Sequence, residues 1–229
     1  MNNFDGNKYI EAMEEYVEKK RIENTEYSVL TEDDHFKVNG ENRFSVLDVW
    51  KYAYSQLPDD IIAEFLIARA LGLEKSENNS YWTAYDMSYR KKRIEVKATV
   101  YVHPWNKEKV SQVRTFSIAP SKNSYWLDVP TPNVNQDLER QSEVYVFCLN
   151  ANQDINQHDI LNIDHWEFYV VPTYVINSYA EQSGNPNQKK ISLGVVKSLA
   201  NGSVSFDGIK DAVDKAIDMS DDYYHNLSM

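Results

Sequence analysis

A single cysteine, Cys148, inside the apolar run EVYVFCLNA, is all the sequence offers, so no intrachain disulfide can form and no cysteine-rich zinc site can be built. That thiol suits a reducing compartment. The five histidines, His35, His103, His158, His165 and His225, show neither H-x3-H nor H-E-x-x-H spacing, which removes the usual zinc-hydrolase reading. Glycine is scarce, with seven residues, and none falls in a G-x-x-x-x-G-K-[ST] or G-x-G-x-x-G pattern. Neither ATP nor a dinucleotide is therefore implied, and no nucleotide cofactor is expected. The elbow G-x-S-x-G is missing too, which leaves serine without the turn that would expose it as a nucleophile. No apolar run approaches the ~18 residues of a membrane helix. The N-terminal stretch MNNFDGNKYIEAMEEY has no basic-then-apolar leader pattern, so a cytoplasmic protein without a membrane partner is expected.

What is present is ample material for a core: 42% hydrophobic and 13% aromatic residues in 229, enough apolar surface to offset the ordering entropy of one large domain. The net charge of -11 argues against a polyanionic partner, but the charge is segregated. Between Asp86 and Tyr125 there are nine Lys/Arg against three Asp/Glu, whereas the rest of the chain carries 15 against 32.

Periodicity organises the chain. Tyr9, Ile10, Met13, Tyr16 and Val17 form a helical stripe over Asn7 to Arg21. Asn39-Gly40 marks a turn that fits either a hairpin or an irregular excursion. Ser45 and Asp48 form a capping-box pattern ahead of a helix from about Val46. In LPDDIIAEFLIARALGL, Pro58 and the two aspartates open a helix that Gly72 closes, and its nearly all-round apolarity predicts burial. YWTAYDMSY and RIEVKATVYV read as a hairpin joined by a basic turn, VRTFSIAP as a third strand, EVYVFCLNA as a central buried strand, and HWEFYVVP as one ending at Pro172. SKNSYWLDVPTPNVNQDLERQS is a long insertion. TYVINSYAEQ reads as a short helix, ISLGVVKSLA is ambiguous, and Asp207 is a candidate cap for a final helix with Ile209, Val213 and Ile217 on one face. The expected fold class is α/β with mixed α+β character in a single domain, residues 1–229. It divides into an N-terminal helical extension (1–56), a core (57–171) and a C-terminal helical and mixed segment (172–229).

Alternation places Ile94, Val96, Ala98, Val100 and Val102 on one face of the second hairpin strand and Glu95 with Lys97 on the other. Asp86, on the paired strand, can converge with Glu95. Two carboxylates meeting on adjacent strands repel unless a cation lies between them, and a hard divalent ion fits oxygen ligands. Glu64 is a third carboxylate, in the row Ile61, Glu64, Ile67/Ala68, Leu71 of the apolar helix.

Glu64 in AEFLIARALGL, Asp86 in AYD, and Glu95-Val96-Lys97 as EVK resemble the PD-(D/E)xK nucleases over roughly Leu57 to Ala151, with Tyr85 standing where that family usually has proline. The resemblance implies a restriction-endonuclease-like core, a central mixed sheet flanked by helices, with the acidic residue at the end of the first core strand. It also implies magnesium, or manganese in its place, held by Asp86 and Glu95 with Glu64 assisting, and Lys97 acting on the attacking water. The expected function is that of a metal-dependent deoxyribonuclease in restriction, phage defence or DNA processing. Arg90, Lys91, Lys92, Lys107, Lys109 and Arg114, interleaved with aromatics, are the candidate DNA contacts. Cutting both strands of a duplex takes two sites, so a homodimer is consistent with this reading. The alternative is a non-catalytic module on the same fold that binds nucleic acid or protein.

Overall fold

The computed structural model describes residues 31–53, 59–73, 85–102, 110, 114–122, 138–157 and 159–227. The stripe over residues 7–21 lies outside them. Chain contacts divide the protein into two compact units, Met1–Gln56 and Leu57–Met229.

In the first unit the Asn39-Gly40 signal makes a true hairpin. Strands β1 (His35–Val38) and β2 (Glu41–Ser45) pair antiparallel, with Asn39 at φ 52° and Gly40 at φ 84°, the two left-handed positions a tight hairpin turn demands. Helix α1 (Val46–Ala53) follows at once. Its capping box is formed as read: Asp48 N–H donates to Ser45 Oγ at 3.1 Å, and Ser45 N–H donates to Asp48 Oδ2 at 2.9 Å. The described part of residues 1–56 is thus hairpin and helix, and of the two readings left open for Asn39-Gly40 the hairpin is the one that forms.

The second unit is a four-stranded mixed sheet with helices on both faces. Its strand order is β3 (Met87–Tyr89), β4 (Lys92–Val100), β8 (Val144–Asn150), β9 (Trp166–Pro172). The β3/β4 and β8/β9 pairs are antiparallel, while β4 and β8 run parallel, so the sequence does not form a simple meander. Every residue of β8 is buried, as its unbroken apolar run requires of a strand covered on both sides. On one face Ile94, Val96, Val146, Cys148 and Phe168 pack under α2 (Asp59–Ala70) and α5 (Ile209–Leu227). On the other, Tyr145, Phe147, Leu149, Tyr169 and Val171 pack under α3 (Thr173–Gln182) and α4 (Leu193–Leu199).

Several elements differ from their sequence reading. VRTFSIAP contributes only β5 (Thr115–Ser117), which pairs with β10 (Lys190–Ser192) rather than joining the central sheet. The ambiguous ISLGVVKSLA resolves into β10 followed by α4, with Ser192 Oγ accepting from Val195 N–H at 3.4 Å at the junction. The long insertion is tied at its ends by a short antiparallel pair, β6 (Ser121–Lys122) with β7 (Leu138–Glu139). Asp207 does not cap the final helix. It sits inside a 3-10 turn, Phe206–Gly208, for which Ser205 is the capping position, and α5 then runs on to Leu227. Helix α2 is not buried all round: Phe65 is 55% exposed, with the Arg69 guanidinium 5.2 Å from its ring centroid.

Candidate active site

Strand β3 is three residues long and pairs with β4 only from Lys92 to Ile94. Asp86, immediately before it, continues the register through its backbone, donating N–H to the Ile94 carbonyl at 3.1 Å. It therefore stands immediately ahead of the described strand Met87–Tyr89, while residues 81–84 of the expected strand lie outside the described residues. Its side chain then replaces the ladder: Val96 N–H donates to Asp86 Oδ2 at 2.6 Å. A carboxylate is thereby fixed at the strand edge beside Glu95.

Glu95 and Lys97 project from the same face of β4, between the buried Ile94 and Val96, as alternation requires. Their side chains form an ion pair, and Ser142 Oγ donates to Glu95 Oε2 at 3.4 Å. In the parallel register Glu95 lies opposite Tyr145 and Lys97 opposite Phe147. Burial raises the Glu95 carboxyl above its usual range, with the Asp86 charge adding to the shift and Lys97 opposing it. Burial likewise raises Asp86, against the pull of Lys97 and the Val96 hydrogen bond. For Lys97, burial works against the ammonium but is outweighed by Glu95, Asp86 and Glu64, so its pKa rises. Burial also pushes the Tyr145 hydroxyl up, with Glu95 adding to it.

Glu64 enters from α2. Its carboxyl is pushed up to about 7, first by burial, then by the charges of Asp86 and Asp60, with Lys97 pulling it down and Glu95 raising it further. Glu64, Asp86, Glu95 and Lys97 therefore act on one another across a single locus drawn from one helix and one strand edge. Asp60, read from sequence only as a dipole complement, belongs to the same electrostatic group. Its spacing of four residues from Glu64 on one helix was the available signal. Ser142 and Tyr145 carried no signal, because only the parallel β4/β8 pairing brings them to Glu95.

The described basic residues are not gathered into one open face. Arg90, at φ 51° in the β3–β4 turn, donates to Asp214 Oδ1 and Asp218 Oδ1, each at 2.9 Å, and Lys92 pairs with Asp221, all on α5. Arg114 is 6% exposed, with its guanidinium 3.9 Å from the Tyr101 ring centroid. Lys91 is exposed at the turn tip. Lys107 and Lys109 lie outside the described residues.

Among the described residues, no three His, Cys, Asp or Glu side chains form a ready-made metal-binding group. Asp86 and Glu95 provide a pair of hard oxygen donors, the number with which magnesium is commonly held when water and phosphate complete its shell. None of the described helices is long and apolar enough to cross a membrane. Comparison of the chain with protein-family models, with curated proteins and with solved structures found no match.

Proposed function

We propose that this protein is a divalent-metal-dependent phosphodiesterase acting on DNA, built on a restriction-endonuclease-like core. The observation that carries the reading is the placement of Asp86, fixed by Val96 N–H, beside the Glu95–Lys97 pair, with Glu64 on the neighbouring helix within reach of their charges. A sheet edge has no structural need for three mutually repelling carboxyls whose protonation is favoured by burial. Such perturbed groups concentrate where chemistry is done.

Asp86 and Glu95 would hold magnesium or manganese, which supplies a water of lowered pKa and neutralises charge on the phosphate. Lys97, paired with Glu95, keeps its ammonium protonated, so it serves as the fixed cation that orients a water and steadies charge gathering on phosphate oxygens. Glu64, titrating near neutrality, is suited to holding or passing a proton at its carboxyl oxygen. The restriction, phage-defence and DNA-processing roles, and a homodimeric assembly, rest on the family resemblance.

The test is magnesium- or manganese-supported cleavage of supercoiled and linear DNA by wild type and by Asp86→Asn. Cleavage that needs the ion and is lost in the variant supports the reading. Cleavage that survives Asp86→Asn, or none by wild type under either ion, overturns it. One observation favours the second reading, a non-catalytic module: Arg90 and Lys92 are committed to α5 acids and so are not available as DNA contacts. A binding partner of the module would then be recognised elsewhere on the surface.

A further inference from the structure

Beside the candidate site lies a cleft of about 610 Å³, within the range of small-ligand sites. Ser142 belongs to both: its hydroxyl donates to Glu95 and the residue also lines the cleft. Three features mark the cleft as built for a polar, partly aromatic guest. Arg140, on its wall, is 9% exposed and is satisfied by neutral groups. Its Nε–H donates to the Ile118 carbonyl at 2.9 Å, one Nη to Asn177 Oδ1 at 2.7 Å and to the Pro186 carbonyl at 3.4 Å, and the other Nη to the Gln188 carbonyl at 2.8 Å. A guanidinium has five N–H groups, so one stays uncommitted among the described residues, and no described carboxylate neutralises the charge. The second feature is Thr173, which is 3% exposed and whose hydroxyl is buried in the cleft wall with no hydrogen-bond partner among the described residues, an arrangement proteins seldom leave without reason. The third is Tyr224 at the rim, 48% exposed, set edge-on against Tyr223 at 5.3 Å, which in turn stacks on Tyr174 at 4.2 Å.

The other cations of the cleft are already compensated, Arg93 by Glu143 and Lys92 by Asp221, and the carboxylates of Glu139 and Glu181 also line it. Arg140 is thus where an anionic group gains most, and Tyr224 is where a flat ring can stack. We propose that the cleft receives an unpaired nucleotide of the substrate strand, its phosphate toward Arg140 and its base against Tyr224. The neighbouring phosphate of the same strand then lies at Asp86 and Glu95. The proposal rests on the nuclease reading and narrows its substrate to DNA with unpaired or extrudable bases, because a base stacked within a duplex is not free to enter.

The experiment is fluorescence anisotropy in calcium with three labelled probes: a 12-nucleotide single strand, the same strand in a blunt duplex, and that duplex carrying one bulged nucleotide. Wild type is expected to bind the single strand and the bulged duplex about tenfold more tightly than the blunt duplex. Tyr224→Ala, an exposed position, and Thr173→Val, which keeps side-chain shape, are each expected to bring that ratio toward one. Equal affinity for all three probes, or variants that weaken all probes alike, overturns the proposal. Adenosine monophosphate binding as tightly as the single strand also overturns it, in favour of a free-nucleotide pocket. The same samples, assayed for cleavage in magnesium, separate the two failures: cleavage without preference for unpaired DNA sinks only the cleft proposal, whereas no binding and no cleavage sinks the nuclease reading with it.

Discussion

The carboxylate of Asp86 takes the place of a strand: its Oδ2 accepts the Val96 N–H at 2.6 Å where the pairing of β3 with β4 stops. Charge and hydrogen bonding at this residue can therefore be separated. Asp86→Asn keeps an acceptor for Val96 N–H and relieves repulsion with Glu64 and Glu95. It should fold with an unchanged or raised Tm while losing both cleavage and the thermal shift that divalent ions give wild type. Asp86→Ala orphans the N–H and should cost about 1–3 kcal/mol in urea unfolding.

Lys97→Ala should abolish magnesium-dependent cleavage, with binding of uncleaved DNA in calcium largely kept. The cation that holds Glu95 and Asp86 charged goes with it, so the pKa values of both carboxyls should rise further. Retained cleavage would remove Lys97 from the mechanism.

Glu64 gives stability a pH dependence of defined sign. Its carboxyl titrates at about 7 in the fold against 4.5 for the ordinary group, so the folded state binds the proton more tightly. Its contribution is fully present below the ordinary value and is lost as pH rises from there to about 7, where the buried carboxylate must be carried charged. Glu64→Gln should match wild type near pH 4 and exceed it at pH 8 by about 2 kcal/mol, the full shift discounted for partial solvent access. Thermal denaturation across that range measures the difference. A variant less stable than wild type at pH 8 would contradict the electrostatic account.

Arg90→Ala should lower Tm slightly at low salt and leave it unchanged in about 1 M NaCl, where exposed pairs are screened. DNA affinity should not fall, because this guanidinium is already engaged by Asp214 and Asp218. A marked loss of DNA affinity would show that the α5 acids release the turn on binding.

Much of the architecture was legible because it depends on neighbours in the chain. The apolar run of β8, the stop at Pro172, the Ser45–Asp48 box and the face of Ile209, Val213 and Ile217 are local patterns, and each forms as read. The alternation that sets Glu95 and Lys97 on one side of β4 is equally local. What the sequence could not disclose is who meets whom across distance. Arg90 and Lys92 read as a free basic turn, yet their partners lie on α5, 124 to 129 positions away. Arg114 carries the composition of a phosphate contact and instead is buried beside Tyr101, because burial is decided by a fold that composition does not specify.

The parallel join of β4 to β8 carries a kinetic consequence. The centre of the sheet cannot close until residues 101–143 have made their excursion, whereas β3 pairs with β4 through a tight turn. Refolding should accordingly be paced by that non-local pairing rather than by the hairpin. The entropy of closing such a loop grows only by about 0.6 kcal/mol for each doubling of its length. Added length in the excursion therefore carries little entropic cost, whereas Phe116, Ile118 and Arg140 within it are buried and tied to the rest of the fold, and the strand edge that bears Asp86, Glu95 and Lys97 stays where it is.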